Sequence, residues 1–431
     1  MRNLDNGLGR CLADWREHGP AAIQLRGADL FTQPSLDDDT DVLMASEAVA
    51  QLLQRARRWT VAGWCHTQVV TRRPHKTEVT LHALDGTQRV VLDVWRRVPQ
   101  IDRGRRSLTF AGCTGACACP ESPVMRLPIL TEAWVYLHHL QAKRKDLSAD
   151  SVQSRLAGYV QALQGTDGPA GMGAAAEVDQ HAWAAKIDAV REQRSLDPAV
   201  LDAALRGLDA AITLAGPPRQ KLGQLWGRVF LAPPRVHRLV CVMGCDGAGK
   251  TSLAGALATR VPAIQRVFTG KHLYRKSYLF KLLVIFVRPL LGQSRERFDE
   301  RMAPLVYLRA CWGLRIKHWR RQQLVIDRTL TDFLYLDRKT DRPRFSCWRW
   351  LAAVAGLRAP VVHCMVDFDQ VASRKELEVT RSGHAAYDRD MFEALAGRVP
   401  GAYLAFNNNG ALEESSAALE RILRRERGWG R

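Results

Sequence analysis

One octapeptide constrains this chain more than any other feature. Gly244-Cys245-Asp246-Gly247-Ala248-Gly249-Lys250-Thr251 satisfies G-x-x-x-x-G-K-[ST], and it joins the apolar run Leu239 to Met243 to a helical stretch from Lys250 to Arg260. Such a segment reads as strand, tight loop, helix. Glycines in that loop let backbone N–H groups turn inward around phosphate. The lysine reaches the β and γ phosphates, and a hydroxyl at the helix start suits magnesium. The phosphate-binding set read from this pattern is Gly244, Gly247, Ala248, Gly249, Lys250, Thr251 and Ser252.

The same rhythm continues downstream. Ala303 to Arg321 has helical spacing, Leu324 to Ile326 and Val361 to Val366 are short apolar strands, and the helix from Lys250 stops before Pro262. Strands alternating with helices predict a parallel sheet with helices on both faces, and residues 236–431 suffice for one such domain. A length of 431 residues makes two or three domains the expectation. With 46% hydrophobic and 25% charged residues, wholesale disorder, collagen and coiled-coil classes are excluded.

Charge is uneven. The net charge is +19, and 34 basic against 19 acidic residues fall from Val236 onward. The C-terminal half therefore attracts nucleotides, nucleic acid or anionic lipid. No nucleic-acid module is recognisable, so specific nucleic-acid binding is not expected. Ten cysteines are too sparse for a disulfide scaffold, and the N-terminal stretch lacks the apolar core of a signal peptide. A cytoplasmic protein with reduced thiols is expected. Tyr278 to Gly292 is the longest apolar run, but Lys281 and Arg288-Pro289 break it, and it is too short to span a bilayer. Two readings stand for it, a helix packed in the core and a segment at a membrane surface.

The first half is of another kind. Ser46 to Arg58 has helical spacing with a serine suited to the N-cap, and Glu78 to Ala83 and Arg89 to Trp95 alternate about Asp85-Gly86 as a hairpin does. Residues 129–163 are helical with a break near 146–149, and 176–213 continue in that vein. Gly165 to Gly173 reads as a linker, and Pro217-Pro218 and Pro233-Pro234 punctuate the approach to the second domain. The expected division is an α+β domain with a helical tail over 1–164, a linker and helical connector over 165–235, and the phosphate-loop domain over 236–431.

The loop, with an acid two residues after its first glycine, is similar to that of thymidylate kinases and their relatives. Gln323 to Leu330 (QLVIDRTL) looks like that family's strand ending in Asp-Arg, and Pro360 to Glu378 like its strand followed by an arginine-bearing lid. The resemblance implies an α/β, doubly wound P-loop kinase fold, with ATP and Mg2+ as cofactors and a small phosphorylated acceptor as partner. It implies catalytic roles for Lys250, Asp246, Arg328 and Arg374, with Asp246 on the acceptor. Thr251 and Asp327 are the expected magnesium ligands, since an acid closing a sheet strand sits where such folds bind ligands. Lys375 and Arg381 are further lid cations. Thr329 stands where the family has an aromatic or histidine, so the acceptor stays open, with Phe333 and Tyr335 as lining candidates.

A second constellation lies upstream. Asp39 and Asp41, two apart on an extended segment, point to one side, and Asp93 on a later strand can join them as three carboxylates holding metal. This resembles the nucleotidyltransferase fold over about residues 20–163, although Gly27-Ala28 replaces that family's Gly-Ser. An acidic solvated loop is the alternative. Cys113, Cys117 and Cys119 with Cys65-His66 are either a zinc site of unusual spacing or free thiols. Two functions follow: a kinase acting on a nucleoside monophosphate or a sugar, and an ATP-binding regulatory or assembly protein with an inactive first domain. Peripheral membrane contact and a homodimer are compatible with both.

Overall fold

In the computed structural model the described residues are 4–26, 29–36, 39–73, 75–101, 106–113, 122–165, 180–196, 215, 239–261, 264–268, 278–290, 292, 323–327, 360–374, 380–397 and 402–425. The first half runs α1 (Asn6–His18), β1 (Ala22–Gln24), β2 (Asp39–Leu43), α2 (Ser46–Val61), β3 (His66–Arg73), β4 (Lys76–His82), β5 (Arg89–Trp95), β6 (Val98–Ile101) and β7 (Arg106–Leu108). Then come α3 (Phe110–Cys113), β8 (Val124–Arg126), α4 (Ile129–Lys143), α5 (Asp150–Gln164) and α6 (Gln180–Gln193). The second half has β9 (Leu239–Gly244), α7 (Lys250–Arg260), β10 (Ile264–Phe268), α8 (Tyr278–Leu282), a π turn (Leu283–Val287) and α9 (Arg288–Leu290). It ends with β11 (Gln323–Asp327), β12 (Val361–Met365), α10 (Phe368–Arg374), α11 (Arg381–Leu395), β13 (Ala402–Asn407) and α12 (Leu412–Arg425).

The chain divides into two compact units. One comprises the described residues of 12–53 and 90–221, the other those of 2–11, 54–89 and 222–431. This division differs from the expected one. β3 and β4 come from the first half of the sequence, yet β3 pairs antiparallel with β13, Tyr403 opposite Val69, and β4 pairs with β3. Thr71 Oγ1 donates to the Gly397 carbonyl at 2.5 Å, and Asn407 donates its side-chain N–H to the Thr60 carbonyl at 2.8 Å. These long-range bonds make residues 54–89 part of the phosphate-loop unit, although they are local in neither sequence nor composition.

In that unit the five strands β10-β11-β9-β12-β13 are all parallel, with β3 and β4 added antiparallel at one side. The chain moves from β9 to β10 and β11 on one flank and to β12 and β13 on the other, so the order reverses at β9, where open α/β sheets bind ligands. Alternation sends the two faces to different helices. Val240, Val242, Val362, Leu404 and Phe406 share a core with Leu253 and Leu257 of α7 and Leu419, Ile422 and Leu423 of α12. His363 and Tyr403 meet Asp388 and Phe392 of α11. Glu413 and Glu414 in the first turn of α12 and Arg424 and Arg425 in its last suit the helix dipole. α11 is capped by Thr380, whose hydroxyl accepts from the Gly383 N–H at 3.1 Å.

The first unit has the strand order β5-β2-β1-β8. β2 is parallel to β5, β1 is antiparallel to β2 and parallel to β8. Its core joins Ile23, Leu43 and Trp95 to Trp134, Leu137 and Leu140 of α4, Leu156 and Leu163 of α5 and Ile187 of α6. The break expected near 146–149 falls between α4, which ends with Arg144 at φ 47, and α5. In the phosphate-loop unit, Gly86 at φ 74 sits in the turn expected at Asp85-Gly86. The long helix expected at 303–321 lies outside the described residues.

Candidate functional site

The phosphate-loop motif sits as its sequence demands. β9 delivers Gly244, which is buried, and the loop turns on three positive φ values: Gly244 at 152, Gly247 at 88 and Gly249 at 75. A Cβ on Gly244 would lie 2.7 Å from the Cys364 carbonyl oxygen, and one on Gly247 would lie 2.9 Å from Val371 Cγ1. Both glycines are therefore required by conformation and by space. Gly249 leads directly into α7. The first-turn N–H groups of that helix face the loop with the positive end of the helix dipole.

Lys250 is buried, and its ammonium donates to the Cys245 carbonyl and lies 3.6 Å from Asp246 Oδ1. Ala248 is fully buried, while Thr251 and Ser252 are exposed at the helix start. Thr251 Oγ1 donates to Asp327 Oδ2 at 2.7 Å, which joins the loop to the end of β11. Asp327 has no exposed surface, and the same oxygen receives Arg266 Nη2 from β10 at 3.2 Å. The pair expected to share magnesium is thus brought together.

Sequence reasoning missed three contributors. Arg266 had no motif; its place follows from the β10–β11 register, in which Phe268 stands opposite Asp327. Asn408, just past β13, donates its side-chain N–H to the Ala248 carbonyl at 2.9 Å and its backbone N–H to the Met365 carbonyl at 2.8 Å. Asn409 accepts from the Asp367 N–H at 2.8 Å. The run Asn407-Asn408-Asn409 is the one signal that marked them. Arg328, Thr329, Phe333, Tyr335 and Lys375 lie outside the described residues. Arg374 ends α10, and its side chain lies outside the described atoms as well. Arg381, at the start of α11, pairs with Asp369 and lies 4.9 Å over the Phe368 ring.

Burial controls the thiols near the loop. It pushes Cys245 up to about 12, with Asp388 adding to the effect, and Cys364 likewise up to about 12. Neither is a nucleophile near neutral pH. Beneath the sheet, His363 Nδ1 meets the Tyr403 hydroxyl at 2.6 Å and its Nε2 meets Asp388 Oδ1 at 3.2 Å.

In the first unit Asp39, Asp41 and Asp93 do converge, with ligand oxygens within 4.8 Å of one another. Parallel pairing explains it, since Asp41 stands opposite Asp93. Among the described residues these three are the one cluster of three or more His, Cys, Asp or Glu side chains close enough to share an ion. Both oxygens of Asp41 are already engaged. Trp95 Nε1 donates to Oδ1 at 2.7 Å, and the Arg26 guanidinium forks onto Oδ2. Burial works against the Arg26 charge, but Asp41 outweighs it and leaves the guanidinium pKa above its ordinary value. An indole N–H cannot ligate a cation, and Arg26 already supplies one. As arranged, the trio does not fit two divalent ions. Gly27 and Ala28 lie outside the described residues.

The zinc reading finds no support in the placed residues. His66 accepts the Asn407 N–H on Nδ1 at 3.1 Å and meets the Leu84 carbonyl through Nε2 at 3.0 Å, so both ring nitrogens are committed. Cys65 and Cys113 are buried and outside any disulfide, and Cys117 and Cys119 lie outside the described residues.

No protein-family model matches the chain, and no curated protein matches it. Among solved structures, thymidylate kinase from Candida albicans is similar over 44% of this chain and 92% of that one, at 14% identity and a TM-score of 0.32. At that level of likeness, what the loop does is decided by its own geometry.

Proposed function

We propose that the phosphate-loop unit is an ATP-dependent phosphotransferase that moves the γ-phosphoryl of Mg·ATP to a nucleoside monophosphate or a related small phosphorylated acceptor. The observation that carries this reading is the bond between Thr251 and Asp327 beside a glycine-shaped loop at the reversal point of a parallel sheet. A hydroxyl and a carboxylate are the oxygen donors magnesium takes, so these two residues would hold it. When bound it supplies positive charge on the β and γ phosphates.

The chain's own groups do the rest. Backbone N–H groups of 247–251 receive phosphate oxygens, and Lys250 leaves the Cys245 carbonyl to neutralise charge on the transferring group. Asp246, half-exposed beside Lys250, contacts the acceptor, with Arg328 clamping the acceptor's phosphate and Arg374 covering the transferring group. The acceptor oxygen forms its bond to phosphorus as the bond to the ADP oxygen breaks. Transfer of this kind needs placement and charge more than covalent chemistry.

The test is ADP release by the purified chain against nucleoside monophosphates and phosphorylated sugars, in wild type and Lys250→Ala. Acceptor-stimulated release that falls about a thousandfold in the variant supports the assignment. Wild-type turnover in that variant sinks it, and release that ignores every acceptor favours an ATP-gated switch. For the first unit we propose a nucleotidyltransferase-like unit held inactive, because Arg26 and Trp95 occupy both oxygens of Asp41. Calorimetry with Mn2+ alone on the Lys250→Ala, Asp327→Ala chain checks it, and tight uptake abolished by Asp93→Asn overturns it.

A further inference from the structure

The stretch Tyr278–Leu290 departs from the core packing its apolar sequence favours. Among the described residues eight large apolar side chains are exposed, and five of them fall in these thirteen positions. Tyr278 is 83% exposed, Leu282 50%, Ile285 61%, Phe286 63% and Leu290 85%. Their spacings of four, three, one and four residues are those of a helical stripe, with the π turn under its middle. A water-soluble chain rarely keeps such a stripe in contact with solvent unless something covers it.

Charge identifies what covers it. No acidic residue occurs between Asp246 and Glu296. Of the nine lysines and arginines in that run, Lys250, Arg260 and Arg266 pair with Asp246, Glu420 and Asp327, and the other six, Lys271, Arg275, Lys276, Lys281, Arg288 and Arg295, lie in or beside the stripe in sequence. Within the helical stretch the two charged residues are Lys281 and Arg288. Lys281 bends its ammonium to 5.8 Å from the Tyr278 ring, which keeps the charge at the edge of the apolar stripe. Apolar side chains flanked by cations, with no acids, match a surface whose interior is hydrocarbon and whose headgroups are anionic. The interior of another protein would not require this one-sided charge. Among the described residues no helix is long and apolar enough to cross a membrane, so the contact is interfacial.

We propose that Tyr278–Leu290 docks the protein on an anionic lipid bilayer, with Leu282, Ile285, Phe286 and Leu290 entering the headgroup boundary and Lys281 and Arg288 meeting lipid phosphates. This does not depend on the phosphotransferase reading, since the stripe and the charge stand apart from the phosphate loop.

The test is co-sedimentation of the full chain with phosphatidylserine-containing vesicles and with pure phosphatidylcholine vesicles. Binding to the anionic vesicles that weakens with added salt is expected, with little binding to the neutral ones. The double variant Ile285→Ser, Phe286→Ser should lower the partition at least about tenfold. Lys281→Ser and Arg288→Ser should each lower it about fivefold. A thermal melt identical to wild type shows the serine variants to be folded. Undiminished sedimentation of the double variant overturns the proposal, as does equal binding to neutral vesicles. So does self-association in light scattering that the double variant abolishes while wild type ignores vesicles, since the stripe would then face a second copy of the chain.

Discussion

Two buried carboxylates, one in each unit, hold the same kind of partners and offer different chemistry. Asp327 receives a neutral donor, Thr251 Oγ1 at 2.7 Å, and a cation, Arg266 at 3.2 Å. Asp41 receives a neutral donor, Trp95 Nε1 at 2.7 Å, and a cation, Arg26. The neutral donor separates them. A hydroxyl has lone pairs and can turn from carboxylate to metal, whereas an indole N–H can only donate. Arg266 is 35% exposed and Arg26 is 16% exposed, so the first cation can swing aside into water and the second is walled in. An acid on a sheet strand is thus no functional signal until its neighbours are known.

The strongest way to break this contrast is to remove each neutral donor. Thr251→Val keeps the shape at the start of α7 and deletes the metal-seeking oxygen. Acceptor-dependent turnover should fall about a thousandfold, far beyond what the stability loss of about 1 kcal/mol from the missing bond to Asp327 can account for. Trp95→Phe should do the reverse, costing stability without touching turnover. Should both variants lose stability alone, the phosphate loop is a structural turn and the contrast disappears.

The cations come next. Arg26→Ala leaves Asp41 buried with one donor, and loss of one partner of a buried pair costs about 3 to 5 kcal/mol. Chemical denaturation should register that loss with ATP affinity intact. Adding Asp41→Asn to Arg26→Ala should recover part of it, because the orphaned charge goes too. An additive double variant would show that the two residues are not coupled.

How much of this was legible in the sequence depends on the range of the interaction. The octapeptide declares its loop because three positive φ values demand glycine and the helix start demands a small hydroxyl, all within eight residues. β9, β11 and β12 were visible as short apolar runs. Ala402–Asn407 also carries an apolar run, Ala402 to Phe406, left unassigned in the sequence reading. β3 and β10 were not visible, since His66–Arg73 and Ile264–Phe268 mix polar residues into strands whose burial comes from sheet pairing. Allegiance of 54–89 to the phosphate-loop unit was invisible for the same reason: Val69 opposite Tyr403 is a contact between distant parts of the chain. The Asp39, Asp41 and Asp93 trio could be anticipated from strand periodicity, but Arg26 and Trp95, which decide its chemistry, carry no pattern. Arg266 and Asn408 reach the phosphate loop by sheet register, which no local motif encodes.

Buried histidines extend the comparison to pH. Burial lowers His66, in the phosphate-loop unit, to about 4, and His139, in the first unit, to about 3, with Arg26 contributing to the latter. Both are neutral when folded and take up a proton near 6.5 when unfolded. Stability from them is therefore complete above about pH 6.5 and is lost as pH falls toward the folded values. His66 is fully enclosed, and its shift corresponds to about 3 kcal/mol. His139 is half-buried, so solvent screens its contribution and the larger share belongs to His66. Urea midpoints at pH 7 and pH 5 should differ strongly in wild type and less in His66→Gln. An unchanged pH slope in that variant would assign the acid sensitivity elsewhere, with His82, also fully buried and held well below its ordinary value, next in line.

The smallest effect is expected at Asn408, and it asks whether the phosphate loop is shaped by its glycines alone. The Asn408 side chain is buried and donates to the Ala248 carbonyl at 2.9 Å, between the two glycines that enter α7 with positive φ. Its backbone N–H holds the Met365 carbonyl, so β12, β13 and the loop are tied at one residue. Asn408→Ala removes the donor and leaves a buried carbonyl unsatisfied, a cost of about 1 kcal/mol. Because the strained glycines lose an anchor, that cost should fall on the bound shape of the loop, lowering ATP affinity about fivefold with a melting temperature near wild type. Asn408→Asp should be worse than alanine, since a carboxylate cannot donate and would face the Ala248 oxygen across 2.9 Å. Calorimetric ATP titration of the two variants decides it: affinity in the order wild type, alanine, aspartate places control of the loop partly in β13, while three equal affinities leave it to Gly244, Gly247 and Gly249.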